Sequence, residues 1–221
     1  MLKPLSGWLA AAFLSFAGSG FAAPSPVTWT LQDPRQVGGV APTVWGAPQV
    51  LGDGSMHFDG VHDGLLLPIN PLQGWKTFTV AMLFRPEDNA PFAQRFFCID
   101  DNGGERLTLE SRVVAGKGWY LDTFLQGGPP PAGSHRALID PAKLHPLGQW
   151  VWAELSYDGR TMTASVDGVT ELTGDIAFPA MAAGKTSVGV RLNRVFFYKG
   201  LIKEVRFYPV ALGPDELPKA P

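Results

Sequence analysis

The sequence predicts an all-β fold, an antiparallel sandwich of the jelly-roll kind. Three observations point there: short runs in which apolar and polar residues alternate, dense glycine and proline punctuation, and a near absence of helix signals. The 221 residues include 26 Gly and 20 Pro, about a fifth of the chain. That content interrupts long helices without reaching low complexity.

The strands follow in order. In Thr77 to Arg85, Phe78, Val80, Met82 and Phe84 share one face while Thr77, Thr79 and Ala81 share the other, and Pro86 stops the run. Gln94 to Phe97, Arg106 to Val113 and Trp119 to Phe124 are shorter strands in the middle third. Between the first two of these, Asp100-Asp101-Asn102-Gly103-Gly104-Glu105 reads as a hairpin turn, since its oxygens lack the ordered spacing of a calcium loop. Trp150 to Tyr157 points Val151, Ala153, Leu155 and Tyr157 inward. Asp158-Gly159 turns it into Thr161 to Val166, and Asp167-Gly168 closes that strand with the same chemistry. Ser187 to Leu192 and Leu201 to Tyr208 complete the set. The best helix signal is Gly213 to Leu217, with Pro214 at a first helical position, and it is long enough for one turn.

Composition narrows function. Eighteen basic residues against 20 acidic ones leave a charge of -2, which excludes the strongly basic footprint of a nucleic-acid binder. Cys98 is the single cysteine, so no internal disulfide forms, and the apolar run around it makes it a small core residue. His57, His62, His135 and His145 are not spaced as metal ligands on any one strand. The N-terminus has Lys3, an apolar stretch from Trp8 to Phe16, and small residues ending Gly20-Phe21-Ala22-Ala23. This is the pattern of a signal peptide over residues 1–22, too short to span a bilayer. The expectation is one exported domain over 23–221, secreted or periplasmic, without a membrane span.

A polar stripe in the middle third carries the candidate site. Arg106, Thr108, Glu110 and Arg112 fall on one face of their strand, opposite Leu107, Leu109 and Val113. Tyr120 and Asp122 share a side of the following strand, so Arg95, Glu110, Arg112, Tyr120 and Asp122 are expected to converge on one sheet face. His135 ends the Gly127 to Ser134 loop, stiffened by three prolines, and is placed at the rim of the same groove. The alternative reading of the stripe is a solvated outer face of ion pairs, each contributing ~0–1 kcal/mol. Trp45 and Trp75 stand near Gly/Pro turns, either as exposed platforms or as ordinary buried tryptophans.

Four phrases in sequence order resemble the laminin G-like jelly rolls of the concanavalin A-like lectin/glucanase superfamily. They are Phe58-Asp59-Gly60-Val61-His62-Asp63-Gly64 with Leu65 to Pro68, then Phe78-Thr79-Val80 to Arg85-Pro86. Trp150-Val151-Trp152-Ala153 through Tyr157-Asp158-Gly159 to Val166-Asp167-Gly168 is the third, and Phe196 to Tyr208, ending at Ala211-Leu212, the fourth. The resemblance implies a sandwich whose concave face binds glycans, and the stripe supplies the hydrogen-bonding and stacking groups that sugars need. It also implies a structural Ca²⁺, but Lys203 stands where family members often carry Asp, and an ammonium beside the cation disfavours it. Asp59 and Asp63 are the remaining weak metal candidates, with a turn-capping role as the alternative.

The expected function is therefore a non-catalytic module that binds a glycan or an extracellular surface, with no cofactor. A second expectation is a glycoside hydrolase or polysaccharide lyase using Glu110 and Asp122, whose strands bring them within the ~5–9 Å such chemistry requires. Against it, the laminarinase-type strand of two Glu flanking an Asp is absent, and the Arg that jelly-roll lyases carry at the Thr108 position is missing. A third is a protein–protein adhesion module presenting an exposed apolar patch.

Overall fold

The computed structural model describes residues 26–129 and 133–220. Residues 1–22, over which a signal peptide is expected, and Pro130 to Ala132 lie outside the described residues. Fifteen strands, β1 to β15 in chain order, make two antiparallel sheets among the described residues. Across the first run β13 (Val169–Asp175), β12 (Thr161–Val166), β11 (Val151–Tyr157), β6 (Phe78–Pro86), β15 (Lys199–Tyr208), β4 (Met56–Asp59) and β3 (Gln49–Val50). β1 (Val27–Thr30) joins the same edge of β15 beyond β4: β4 pairs with Lys199 to Ile202, and β1 with Glu204 to Phe207. Across the second run β10 (Ser134–Ile139), β9 (Gly118–Gly127), β8 (Arg106–Val114), β7 (Ala93–Asp101), β14 (Gly184–Val188), β5 (Gly64–Leu67) and β2 (Thr43–Trp45). The all-β sandwich is thus the fold observed.

One apolar core lies between the sheets. Phe84 of β6 stacks on Phe96 of β7 with ring centroids 4.4 Å apart and meets Trp119 of β9 edge-on at 5.0 Å. Offset and edge-on contacts are the geometries that ring quadrupoles favour. Inward positions follow the alternation expected: Val80, Met82 and Phe84 from β6, Leu107, Leu109 and Val113 from β8, and Leu155 and Tyr157 from β11 are buried in it. No helix among the described residues is long and apolar enough to cross a membrane.

Turn chemistry follows the sequence closely. Asp167 and Gly168 both take positive φ, 49° and 75°, the backbone of a hairpin turn whose twist matches its strands. Asp158 accepts the backbone N–H groups of Arg160 and Thr161 at 2.8 and 2.7 Å. At the β7–β8 turn, Asp101 Oδ1 accepts from Gly103 and Glu105 at 2.8 and 2.9 Å, which confirms a hairpin there. Gly213 to Leu217 makes a single hydrogen-bonded turn.

Three expectations need correction. The strand expected over Ser187 to Leu192 runs instead over Gly184–Val188, because Gly189 at φ 79° turns the chain out of the sheet. Val169–Asp175 adds a strand after the Asp167-Gly168 turn; its mostly exposed residues show little alternation. Simple alternation in β7 also fails: a bulge between Arg95 and Phe97 sends both Phe96 and Phe97 into the core.

Candidate functional site

The face of the seven-stranded sheet that turns away from the core carries a pocket of about 230 Å³. Arg106, Thr108, Glu110 and Arg112 reach it from β8, as their alternation requires. Asp122 and Phe124 reach it from β9, where Asp122 lies directly opposite Glu110 and Phe124 opposite Thr108. Arg95 comes from β7, Ala137 from β10, and Arg191 from the loop after β14. The β7 bulge is what keeps Arg95 on this face opposite Glu110 while its neighbour Phe96 packs inward.

The charged groups form one chain of contacts. Arg112 Nη2 donates to Asp122 Oδ2 at 2.6 Å and to Glu110 Oε2 at 3.0 Å, and its Nε donates to Asp122 Oδ2 at 2.9 Å. Arg95 Nε lies 2.9 Å from Glu110 Oε1. Glu110 and Asp122 are both buried, at 4 % and 6 % exposure. A solvated face of ion pairs would leave these groups wet; here they are desolvated and over-determined, so they are held rigidly. Burial and the Asp122 charge push the Glu110 carboxyl up to about 7, with Arg95, Arg112 and Arg191 pulling the other way. Burial likewise lowers the Arg95 pKa from its ordinary value, opposed by Glu110.

Two exposed phenyl rings flank the cluster. Phe196 lies under the Arg95 guanidinium, 4.2 Å from ring centroid to Cζ, and Phe92 lies 5.9 Å from that of Arg112. They are 44 % and 57 % exposed, so each presents ring surface to solvent. Phe196 takes φ 59°, a backbone that a bulky residue rarely adopts. Its carbonyl accepts the Arg95 N–H at 2.9 Å, which ties this strained loop to the bulged strand.

Arg95, Glu110, Arg112 and Asp122 are thus brought together as the sequence reading anticipates. Tyr120 is buried on the same face, opposite Arg112, but does not line the pocket. His135 is exposed on β10, its ring 6.4 Å from that of Phe124, and also stands outside the lining. Phe124 continues the Tyr120/Asp122 alternation and was legible there. Arg191, Phe92 and Phe196 sit in irregular backbone, where no period announces a face. Trp75 is half-buried against the core, and Trp45 is half-buried beneath Arg194, whose Cζ lies 5.0 Å from its ring. Cys98 is buried, with burial pushing its thiol up to about 11, yet it pairs with Thr108 on the pocket side and accepts the Thr108 hydroxyl at 3.8 Å, so it is not part of the inter-sheet core.

Asp59 and Asp63 are turn caps. Asp59 Oδ1 accepts from the N–H groups of Val61, His62 and Asp63 at 2.8 to 3.0 Å, and Asp63 accepts from Ala47 at 2.7 Å and Asp59 at 3.1 Å. Oxygens aimed at N–H donors are poorly disposed to ligate a hard cation. No group of three or more metal-ligating side chains occurs among the described residues. Lys203 occupies the β15 bulge, its ammonium 5.9 Å from the Trp150 ring. These residues do not fit a bound calcium ion.

With this architecture in place, residues 59–217 match a laminin G model of the concanavalin A-like lectin/glucanases superfamily. The chain belongs to that superfamily. The laminin G-like domain has a solved likeness in domain 4 of AbnA, a GH43 extracellular arabinanase from Geobacillus stearothermophilus, in complex with arabinotriose. The two share 20 % identity at a TM-score of 0.63, over 89 % of this chain and 97 % of that one. The botulinum neurotoxin serotype D binding domain is similar at 12 % identity and a TM-score of 0.62, over 87 % of this chain and 50 % of its own. The same serotype's ligand binding domain in complex with N-acetylneuraminic acid gives 12 % and 0.61, over 87 % of this chain and 49 % of its own. The laminin G-like domain therefore spans about half of each neurotoxin chain. At these identities the likeness is one of fold. No curated protein matches the chain.

Proposed function

We propose that the protein is an exported, non-catalytic carbohydrate-binding module whose ligand sits over the Arg95–Glu110–Arg112–Asp122 cluster. The observation that carries this reading is a pair of buried carboxylates fixed by half-buried guanidinium groups, opening into a pocket beside exposed phenyl rings. Sugars are recognised in this way, by rigid planar hydrogen-bonding groups and an apolar surface for the ring's C–H face. Both Arg112 contacts to Asp122 fall on Oδ2, leaving Oδ1 to accept a sugar hydroxyl. Phe124 and the exposed His135 edge extend the surface along β9 and β10, and Tyr120 backs it from beside Arg112. The fold's likeness to domains in complex with arabinotriose and with N-acetylneuraminic acid supports the same class of ligand. Secretion or periplasmic residence accords with the signal-peptide pattern of residues 1–22, and the binding proposed here uses no cation.

One observation favours a hydrolase or lyase as the second reading. Glu110, held near 7, has the proton affinity of a general acid and lies within about 6 Å of Asp122 across the shared Arg112 nitrogen, the ~5–5.5 Å scale of retaining pairs. Yet both Glu110 oxygens face guanidinium groups, and Arg112 occupies the space between the carboxylates where a scissile bond would lie.

The test is a glycan and polysaccharide panel, with and without Ca²⁺, scored for retention and for released reducing or unsaturated ends. Retention without product is expected. Product that disappears in Glu110→Gln while retention persists establishes the enzyme instead, and silence in both channels points to a protein partner.

A further inference from the structure

Charge inside the pocket is opposite in sign to that of the chain. The protein carries a formal charge of -2, yet four guanidinium groups, from Arg95, Arg106, Arg112 and Arg191, line the pocket against the two carboxylates of Glu110 and Asp122. Following each charge to its partner locates the excess. Arg112 is satisfied by Glu110 and Asp122, and Arg95 Nε by Glu110. Arg106 pairs with Asp100 at 3.3 Å, outside the pocket lining. Arg191 has no ion-pair partner among the described residues, and the buried Nη1 of Arg95 has no acceptor among them. Arg191 nevertheless stands near enough to Arg95 and Arg112's carboxylate partner Glu110 to influence both. Two like charges converging on a half-enclosed pocket, one of them with an orphaned donor, are suited to receive an anionic group.

Resting on the glycan-binding reading above, we propose that this pocket takes a carboxylate-bearing sugar, a uronic acid unit of an acidic polysaccharide, with Arg191 and Arg95 Nη1 receiving its carboxylate. Guanidinium forks match planar carboxylates bidentately, which is the geometry that makes arginine the choice for such recognition. Asp122 Oδ1 accepts from ring hydroxyls, and the exposed side of Phe196 lies against the sugar's apolar edge. About 230 Å³ is below the ~300–1,000 Å³ of clefts for drug-sized ligands, the scale of one sugar unit with its neighbours projecting outward. Phe196 serves twice, because the ring under the Arg95 guanidinium also fixes where that guanidinium points.

The experiment uses calorimetric titration of the purified protein with trimers of galacturonate, glucuronate and mannuronate. Each is paired with its carboxyl-reduced trimer, and a sulfated galactose trimer is added. At least one uronate trimer is expected to bind 10-fold or more tightly than its reduced form, and to weaken as salt screens the contact. Arg191→Ala is expected to abolish that preference, Arg191→Lys to restore part of it, and Arg160→Ala, on an exposed pair with Asp175 outside the pocket lining, to leave it intact. Thermal midpoints of the variants within 2–3 °C of the parent exclude misfolding as the cause. A reduced trimer that binds as tightly as its uronate overturns the acidic-sugar assignment and leaves glycan binding standing. Tighter binding of the sulfated trimer overturns the carboxylate assignment, and an acid preference that survives Arg191→Ala overturns the site. Failure of every trimer, together with silence across the wider panel, overturns both readings.

Discussion

Glu110 and Asp122 face each other across adjacent strands, and both close on the same nitrogen of Arg112, at 3.0 and 2.6 Å. Two buried carboxylates in register would repel each other in a medium of low dielectric; the shared guanidinium turns the repulsion into a chain of attraction. Because the strands pair here, the cluster belongs to the sheet itself.

Removing Arg112 leaves the buried Asp122 carboxylate without a guanidinium and Glu110 with Arg95 alone. Arg112→Ala is expected to lower stability by roughly 3–5 kcal/mol, and the triple variant with Glu110→Gln and Asp122→Asn to recover much of it. Urea unfolding of the single, double and triple variants measures this. A loss below ~1 kcal/mol would show that the stripe is a solvated face of ordinary surface pairs.

Glu154 sets a pH response from the other sheet. It is buried on β11, its Oε1 accepting the Gly168 N–H at 3.3 Å and its Oε2 without an acceptor or donor among the described residues. Burial pushes its carboxyl up to about 9. The folded state therefore holds a proton that the unfolded chain releases near its ordinary ~4.3, so the Glu154 contribution to stability is greatest below that value and falls progressively as pH rises toward about 9. Glu154→Gln is expected to flatten the fall between pH 5 and 9 in thermal melts. An unchanged slope would mean that Glu154 is ionised and solvated.

Asp59 acts in the opposite sense. Although burial opposes it, the N–H groups of His62, Val61 and Asp63 hold its carboxyl at about 2. Its stabilisation is complete above the ordinary value near 3.8 and is lost as pH falls through about 2. Asp59→Ala is expected to cost about 1–3 kcal/mol near pH 7 and to remove this part of the acid-unfolding transition. Acid titrations of both proteins, followed by tryptophan fluorescence, compare the two midpoints.

The loop bearing Arg191 and Phe196 hangs on Gly189. Its N–H donates to the Phe96 carbonyl at 2.9 Å and its carbonyl accepts the Tyr198 N–H at 2.8 Å, at a φ of 79°. A Cβ there would run into the buried Phe58 ring. Gly189→Ala is expected to destabilise by roughly 1–3 kcal/mol and to weaken glycan retention by more than the stability loss alone explains. Amide exchange over 190–197 reads the loosening, and unchanged protection would mean that the loop is held elsewhere.

Alternation and turn chemistry made the fold legible because both are local. Inward residues of β6, β8 and β11 follow a period of two, and Asp167-Gly168 or Asp158-Gly159 announce their turns within four residues. The same period aligned Glu110, Arg112 and Asp122, since positions two apart share a face on any strand. Strand β13 escaped because it is mostly exposed, so no buried face imposes a pattern. Cys98 was legible as buried, but the side on which it is buried depends on the β7 bulge.

What the sequence alone determined is therefore the sandwich, its superfamily and the polar stripe, all properties of residues near one another in the chain. Only the tertiary structure decided that the stripe is closed into a pocket. Arg191 and Phe196 arrive from irregular backbone far along the chain, held by the contact between the Phe196 carbonyl and the Arg95 N–H. Such placement is set by long-range pairing and by a bulge that breaks the period of two, and neither leaves a repeating mark on the sequence.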